Sequence, residues 1–132
     1  MRILFATGGT AGHINPALAV ASYIRETQKN SEILFVGTSD HMESRLVPNA
    51  GFDFKTIDIS GFKRSFAPEA IVHNVKTVAR LVKSSGESKK IIKEFDPDVV
   101  VGFGGYVSGP VLQSAVKMGI PTCIHEQNAF PG

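Results

Sequence analysis

Short apolar runs that end in glycine are the feature that most constrains how this chain can fold. Residues 3–5 (ILF) lead into the segment GGTAGH at residues 8–13, and residues 99–101 (VVV) lead into GFGGYVSGP at residues 102–110. Apolar runs without alternation are typical of strands that are covered on both faces, as in parallel sheets. Glycines after such strands are typical of tight turns into helices whose amino ends approach a ligand. The pattern predicts a parallel sheet.

The rest of the chain continues the alternation of strands and helices. The expected helices begin near residues 16, 42, 68 and 110, and the further β-rich runs lie at residues 33–36, 54–59 and 122–125. We expect Asn15 to cap the first helix, with Pro16 in its first position, and Ser39 or Asp40 to cap the second. Together these elements predict the α/β class and a Rossmann-like, doubly wound parallel sheet.

Composition narrows the class of protein further. A chain of 132 residues with 42% hydrophobic content and a net charge of +2 fits one globular domain, and no nucleic-acid partner is expected. Cys123 is the only cysteine, which excludes an intramolecular disulfide and a Cys-rich metal site. The opening run MRILFATGG is too short for a signal peptide or a membrane span, so we expect a cytoplasmic protein.

The glycine segments predict a phosphate-bearing ligand at the carboxyl edge of the sheet, although tight turns alone would also explain them. Thr10 stands where the dinucleotide fingerprint needs its second glycine, and no Walker lysine follows. A dinucleotide site that uses Asp40 on the ribose remains a minor alternative. Asp96 and Asp98 precede the fourth strand, at the opposite edge, so we expect them to serve the turn and expect no metal site.

Three ordered segments, GGTAGHINPALAVA, GFGGYVSGP and IHEQN, resemble the amino-terminal half of the MurG family of N-acetylglucosaminyltransferases. The resemblance spans essentially the whole chain, and Ala11 stands where the family usually has glycine. It implies that residues 1–132 are the acceptor-side domain of an inverting GT-B glycosyltransferase whose donor-nucleotide domain lies outside this chain. Another GT-B enzyme with a different lipid or sugar acceptor, or a non-catalytic module of a split enzyme, is the alternative.

The resemblance also implies a reaction. Such enzymes move N-acetylglucosamine from UDP-N-acetylglucosamine to the C4 hydroxyl of lipid I, which makes lipid II for peptidoglycan and the cell wall. No cofactor is implied. The attacking hydroxyl must lose a proton, and His13 lies in the loop where a general base belongs. The alternative for His13 is a loop histidine that only bonds a backbone carbonyl.

By the same resemblance, two groups of residues are assigned to the substrates. The donor-binding group is Thr10, Ala11, Gly12 and Asn128. The group assigned to the lipid diphosphate of the acceptor is Gly104, Gly105, Tyr106, Ser108 and Gly109. Ser108 is expected above all to cap the helix that follows it, and Glu126 to hold a loop in place.

A basic region lies between Lys63 and Lys93, which contains eight of the fourteen basic residues and only two acidic ones. Apolar residues at helical spacing run beside its cations, which is typical of a helix facing the core and also of an interfacial patch on anionic lipid. With the resemblance, the pattern predicts a peripheral protein on the inner face of the plasma membrane. The predicted membrane patch comprises Ile71, Val75, Lys76, Val78, Arg80, Leu81, Val82 and Lys83.

Overall fold

The computed structural model describes residues 1–59 and 83–126 of the chain. Within them, five strands form one sheet in the order β3-β2-β1-β4-β5, and every pair of neighbouring strands is parallel. The strands are β1 (Arg2–Ala6), β2 (Glu32–Gly37), β3 (Asp53–Thr56), β4 (Val99–Gly102) and β5 (Thr122–Ile124). All five predicted strands are therefore confirmed, with ends that differ by no more than three residues.

The strand order places a topological switch at the centre of the sheet. From β1 the chain moves outward to β2 and β3, and it then crosses to β4 and β5 on the other side of β1. In doubly wound sheets, ligands bind beyond the carboxyl ends of the strands at such a switch point. The loops after β1 and β4, which carry the two glycine segments, therefore lie side by side.

Helices cover both faces of the sheet, as continuous apolar strands require. They are α1 (Ala11–Thr27), α2 (Glu43–Asn49), α3, which is described over residues 83–95, and α4 (Ser108–Lys117). Ile3 and Phe5 of β1 pack in one cluster with residues of α1 and α2. Leu4 and Ala6, which point to the opposite face, pack with residues of α3 and α4. The predicted doubly wound α/β architecture is confirmed.

The first helix starts earlier than predicted. Helix α1 begins at Ala11, so the prediction that Asn15 caps it and that Pro16 opens it is wrong. The carbonyl of Thr10 accepts bonds from the backbone N–H groups of His13 and Ile14, both at 3.1 Å, which closes the first turn ahead of the proline. Pro16 lies inside the helix and cannot donate a backbone bond to the carbonyl of Gly12, a residue that is exposed to solvent. His13 is consequently a helical residue.

The predicted cap of the second helix is also wrong. Met42 occupies the N-cap position of α2 and makes no side-chain capping bond, so neither Ser39 nor Asp40 has that role. Instead, the Asp40 carboxylate lies 3.1 Å from Nδ1 of His41 in the preceding bend. The first turn of α2 is held against the sheet by the buried side chain of Glu43, which bonds backbone N–H groups that follow β1 and β2.

The amino edge of the sheet is closed by contacts around Arg2. The Asp98 carboxylate accepts the Arg2 backbone N–H at 2.8 Å, and the Asp98 N–H donates to the Arg2 carbonyl at 2.7 Å. The prediction that Asp98 serves the turn at this edge, far from the glycine loops, is confirmed. In the described ranges, 1–59 and 83–126, no helix is both long and apolar enough to cross a bilayer.

Candidate active site

His13 lies in the first turn of α1, at the carboxyl edge of the sheet, and its ring is half-buried. Its Nδ1 atom is 3.1 Å from the carbonyl oxygen of Gly8 and 3.5 Å from the hydroxyl of Thr10. A carbonyl oxygen only accepts hydrogen bonds, so Nδ1 must carry the proton and donate it. The neutral ring then has its lone pair on Nε2, the atom that a general base needs.

The loop after β4 packs directly against this histidine. Gly104 and Gly105 have φ values of +102° and +85°, which residues with a side chain rarely adopt. A Cβ atom on Gly104 would lie 2.8 Å from Nε2 of His13, and one on Gly105 would lie 2.5 Å from the Gly8 carbonyl oxygen. Both glycines are thus required by close approach, and the two glycine segments form one continuous site.

Ser108 has a different role from the predicted one. Val107 occupies the N-cap position of α4 without a side-chain capping bond, so the prediction that Ser108 caps this helix is wrong. The Ser108 hydroxyl turns back into the loop, where it accepts the Gly104 N–H at 3.1 Å. It also lies 2.8 Å from the Gly104 carbonyl and 3.1 Å from the Ala6 carbonyl, either of which it can donate to. This buried hydroxyl ties the second loop to the end of β1.

The remaining predicted ligand residues lie on the open side of the two loops. Tyr106 is 68% exposed, and Gly109, Thr10 and Gly12 are exposed as well. The backbone N–H groups of Ala11 and Gly12, which precede the first helical hydrogen bonds of α1, have no acceptor within the helix and sit at its positive end. This end of α1 can therefore receive a phosphate or a sugar hydroxyl.

The third segment, HEQN, begins beside the second. The backbone N–H of His125 donates to the Gly102 carbonyl at 2.9 Å, and its ring stacks on Phe103 with centroids 5.0 Å apart. Glu126 is exposed at the end of the described part of the chain. Asn128, predicted to bind the donor, and the predicted membrane patch other than Lys83 lie outside the described residues. Lys83 is exposed, with Nζ 3.7 Å from a carboxylate oxygen of Glu87.

Glu43 is a site residue that sequence reasoning missed. Its side chain is completely buried between the ends of β1 and β2. One carboxylate oxygen accepts the Gly9 backbone N–H at 3.1 Å, and the other accepts the Thr38 backbone N–H at 3.0 Å and the Thr38 hydroxyl at 3.1 Å. An acidic residue in the first turn of a helix usually faces solvent, and nothing local in the sequence indicates that this one is buried.

Asp40, the residue on which the dinucleotide alternative depends, is exposed beside His41. A bond from its own backbone is the largest influence that holds the pKa of this carboxyl below its usual value, and the neighbouring His41 and Thr38 add to the effect.

The parallel sheet with two paired glycine loops at its carboxyl edge defines a Rossmann-like α/β domain, and comparison with known proteins gives its family. The chain belongs to glycosyltransferase family 28, since residues 3–132 match the model of that family's N-terminal domain. The predicted family resemblance and the GT-B fold class are confirmed.

Individual relatives and one solved structure show which members of the family this chain is similar to. The chain is 52% identical over all 132 residues to the "UDP-N-acetylglucosamine--N-acetylmuramyl-(pentapeptide) pyrophosphoryl-undecaprenol N-acetylglucosamine transferase" of Alkaliphilus oremlandii and 49% identical to the protein of that name from Lactococcus lactis subsp. cremoris. It covers 35% and 36% of those relatives, about a third of their length. The crystal structure of Acinetobacter baumannii MurG matches 99% of the chain, and the chain covers 36% of that protein, with a TM-score of 0.79 at 33% identity.

Proposed function

We propose that this chain is the acceptor-side domain of an inverting transferase that moves N-acetylglucosamine from UDP-N-acetylglucosamine to the C4 hydroxyl of lipid I. The names of relatives that are about half identical over the whole chain supply the substrates. The single observation that carries the chemistry is the placement of His13, whose Nε2 lies against Gly104 where the two glycine loops meet.

In this proposal His13 acts as the general base. Its Nδ1–H is held by the Gly8 carbonyl, so Nε2 is free to take the proton from the attacking hydroxyl. The C4 oxygen forms its bond to the anomeric carbon as the bond to UDP breaks, and the negative charge leaves on the diphosphate. A positioned base contributes roughly 10² to 10⁴ in rate to such a step.

The loops divide the two substrates between them. Thr10, Ala11 and Gly12 approach the donor through the amino end of α1, and Asn128 reaches the donor sugar. Gly104, Gly105, Tyr106 and Gly109 line the path of the lipid diphosphate, while the buried Ser108 keeps Gly104 in place. Backbone N–H groups at a helix terminus stabilise phosphate charge through the helix dipole.

The reaction can be tested in a chimera, because the chain covers only about a third of its relatives. The chain is joined to the remaining part of the Alkaliphilus oremlandii relative and supplied with labelled UDP-N-acetylglucosamine and a soluble lipid I analogue. We expect transfer to the muramoyl sugar of the analogue. A chimera that still binds the donor yet transfers nothing to this acceptor would contradict the proposal, and transfer to another lipid-linked sugar would favour the GT-B alternative.

We further propose that the predicted membrane patch, residues 71–83, holds the protein on the anionic inner face of the plasma membrane. The proposal is supported by the clustered cations and by the lipid-linked acceptor in the relatives' name. Each cation near an anionic surface contributes about 1 kcal/mol. Replacement of Lys76, Arg80 and Lys83 by glutamate should therefore abolish binding to anionic vesicles at low salt.

Cosedimentation with vesicles measures this binding. The matched control replaces three exposed lysines outside the patch, Lys29, Lys55 and Lys117, by glutamate. This control has the same net charge as the patch variant. We expect the control to keep most of its binding. Equal binding of the unsubstituted chain to neutral and anionic vesicles would refute the electrostatic patch.

A further inference from the structure

One peptide unit links the buried Glu43 to His13. The N–H of the Gly8–Gly9 peptide belongs to Gly9 and donates to a carboxylate oxygen of Glu43 at 3.1 Å. The carbonyl of the same peptide belongs to Gly8 and lies 3.1 Å from Nδ1 of His13. A continuous line of hydrogen bonds therefore runs from the carboxylate, through one amide, to the imidazole.

We propose that Glu43 is a positioning residue that sets the tautomer of His13 through this peptide. The carboxylate fixes the direction of the amide, so that its carbonyl points at Nδ1 and keeps the proton there. A hydrogen bond from an amide N–H to a charged acceptor also polarises the amide, which makes its carbonyl a stronger acceptor. Nε2 thereby remains the unprotonated nitrogen that faces the second loop.

The surroundings of Glu43 show that its position is specified from several sides. A Cβ atom on Gly8 would collide with its carboxylate, and one on Gly37 would lie 2.5 Å from its Cγ atom. Thr38 supplies two donors to the second carboxylate oxygen. Because burying a carboxylate is costly unless it is hydrogen-bonded, this arrangement exceeds what is needed to pack a short helix. A leucine of similar volume would pack α2 without requiring two glycines and three donors.

Glu43→Gln separates the acceptor role from the shape of the side chain. Glutamine has one acceptor oxygen, whereas glutamate has two. Since Thr38 presents two donors, we expect that oxygen to face Thr38 and the amide group to face the Gly9 N–H. Two donors then oppose each other at Gly9, the peptide turns away, and Nδ1 of His13 loses its acceptor.

The matched control is Thr38→Val. It is nearly isosteric and removes the hydroxyl, which bonds Glu43 at 3.1 Å and lies 2.7 Å from Nδ1 of His41, but it leaves the Gly9 contact with Glu43 in place. It is also a buried substitution that loses a hydrogen bond, so it should reduce stability as Glu43→Gln does. Unlike that variant, it should leave the His13 tautomer unchanged.

The readout is the ¹⁵N spectrum of the imidazole rings, which distinguishes Nδ1–H from Nε2–H in neutral histidine. It is recorded on the full chain with labelled histidine, and a His13→Gln variant assigns the His13 signals among the four histidines. We expect Nδ1–H in the unsubstituted protein and in Thr38→Val, and a shift toward Nε2–H in Glu43→Gln. If Glu43→Gln does not fold, an Nε2–H signal from His13 in the unsubstituted protein would still overturn the inference.

Three results would overturn the inference: Nε2–H in the unsubstituted protein, an unchanged tautomer in folded Glu43→Gln, or an equal shift in Thr38→Val. The consequence for catalysis rests on the proposed function and is measured separately, in the chimera. There Glu43→Gln should lower kcat by about 10- to 100-fold with a smaller change in donor KM, as expected for a group that orients a functional histidine. A shifted tautomer with unchanged kcat would leave the linkage intact and contradict the base role of His13.

Discussion

At the scale of single residues, the site depends on how closely the Gly104 backbone approaches the His13 ring. That approach places Cδ2 and Nε2 of the ring nearest the second loop, while Nδ1 is engaged by the Gly8 carbonyl. His13 can therefore both bond a backbone carbonyl and act as a general base, because the two roles use different ring nitrogens. In the proposed mechanism, the carbonyl bond prepares the ring for the base role.

Replacing His13 by alanine tests that role. In the two-domain chimera we expect kcat to fall roughly 10²- to 10⁴-fold, with little change in donor KM, because a general base acts mainly in the transition state. Asn128→Ala, by contrast, should raise the donor KM. Steady-state kinetics with varied UDP-N-acetylglucosamine measure both variants. Near-normal kcat in His13→Ala would remove His13 as the base.

Gly104→Ala tests the contact between the loops. The new methyl group meets the His13 ring and forces a side chain into a φ of +102°, so we expect a loss of about 1 to 3 kcal/mol in the free energy of unfolding. Transferase activity of the chimera should fall as well, because His13 must move. Urea denaturation and initial rates measure the two effects. Unchanged values of both would show that the loop adapts freely.

At the scale of elements, the helix starts show how the site is assembled. Helix α1 starts at Ala11, which brings His13 into its first turn and directs the amino end of the helix at the cleft. Helix α4 starts at Ser108, and the Ser108 hydroxyl bonds the loop before it. The Thr10 carbonyl closes the first turn of α1, and the Ser108 hydroxyl bonds back to Gly104, so each glycine loop is hydrogen-bonded to the helix after it.

Gly86 offers a stabilising substitution in helix α3, away from the site. It lies within residues 83–95, is exposed, and a Cβ atom there would meet no atom of the described residues within 4 Å. Gly86→Ala should therefore raise the free energy of unfolding by about 0.4 to 1 kcal/mol, because alanine loses less backbone entropy in a helix. Thermal unfolding followed by circular dichroism measures this. A lower Tm would contradict the helical environment of Gly86.

At the scale of the whole molecule, the switch between β1 and β4 determines which segments meet. The loops after these neighbouring strands are about ninety residues apart in the chain, yet their backbones are in contact. Since the chain covers about a third of its relatives, our proposal assigns most of the donor contacts to the part of those proteins that lies beyond the match.

Accordingly, the 132-residue chain alone should transfer no sugar and should bind UDP-N-acetylglucosamine only weakly, with Kd above about 1 mM, or less than about 4 kcal/mol of binding free energy. Calorimetric titration and a labelled-sugar assay measure these quantities, with the chimera as the positive control. Measurable turnover by the chain alone would refute this division of the donor site.

The sequence by itself determined the class of fold and the location of the site. The unbroken apolar runs at residues 3–5 and 99–101 are typical of strands covered on both faces, and the glycines after them marked the carboxyl edge where His13 lies. These conclusions depend only on residues that are adjacent in the sequence, so a local pattern is enough to reach them. The roles of Thr10 and Asn128 were available only through the family resemblance and remain predictions.

Only the tertiary structure decided how the site is held together. The burial of Glu43 depends on the space that Gly8 and Gly37 leave at the ends of two strands, and the role of Gly104 depends on a ring more than ninety residues earlier. The Ser108 hydroxyl likewise bonds the Ala6 carbonyl, 102 residues away, and so reaches across the sheet to β1. Such contacts follow from the packing of strands and loops that are distant in the chain, so no local pattern encodes them.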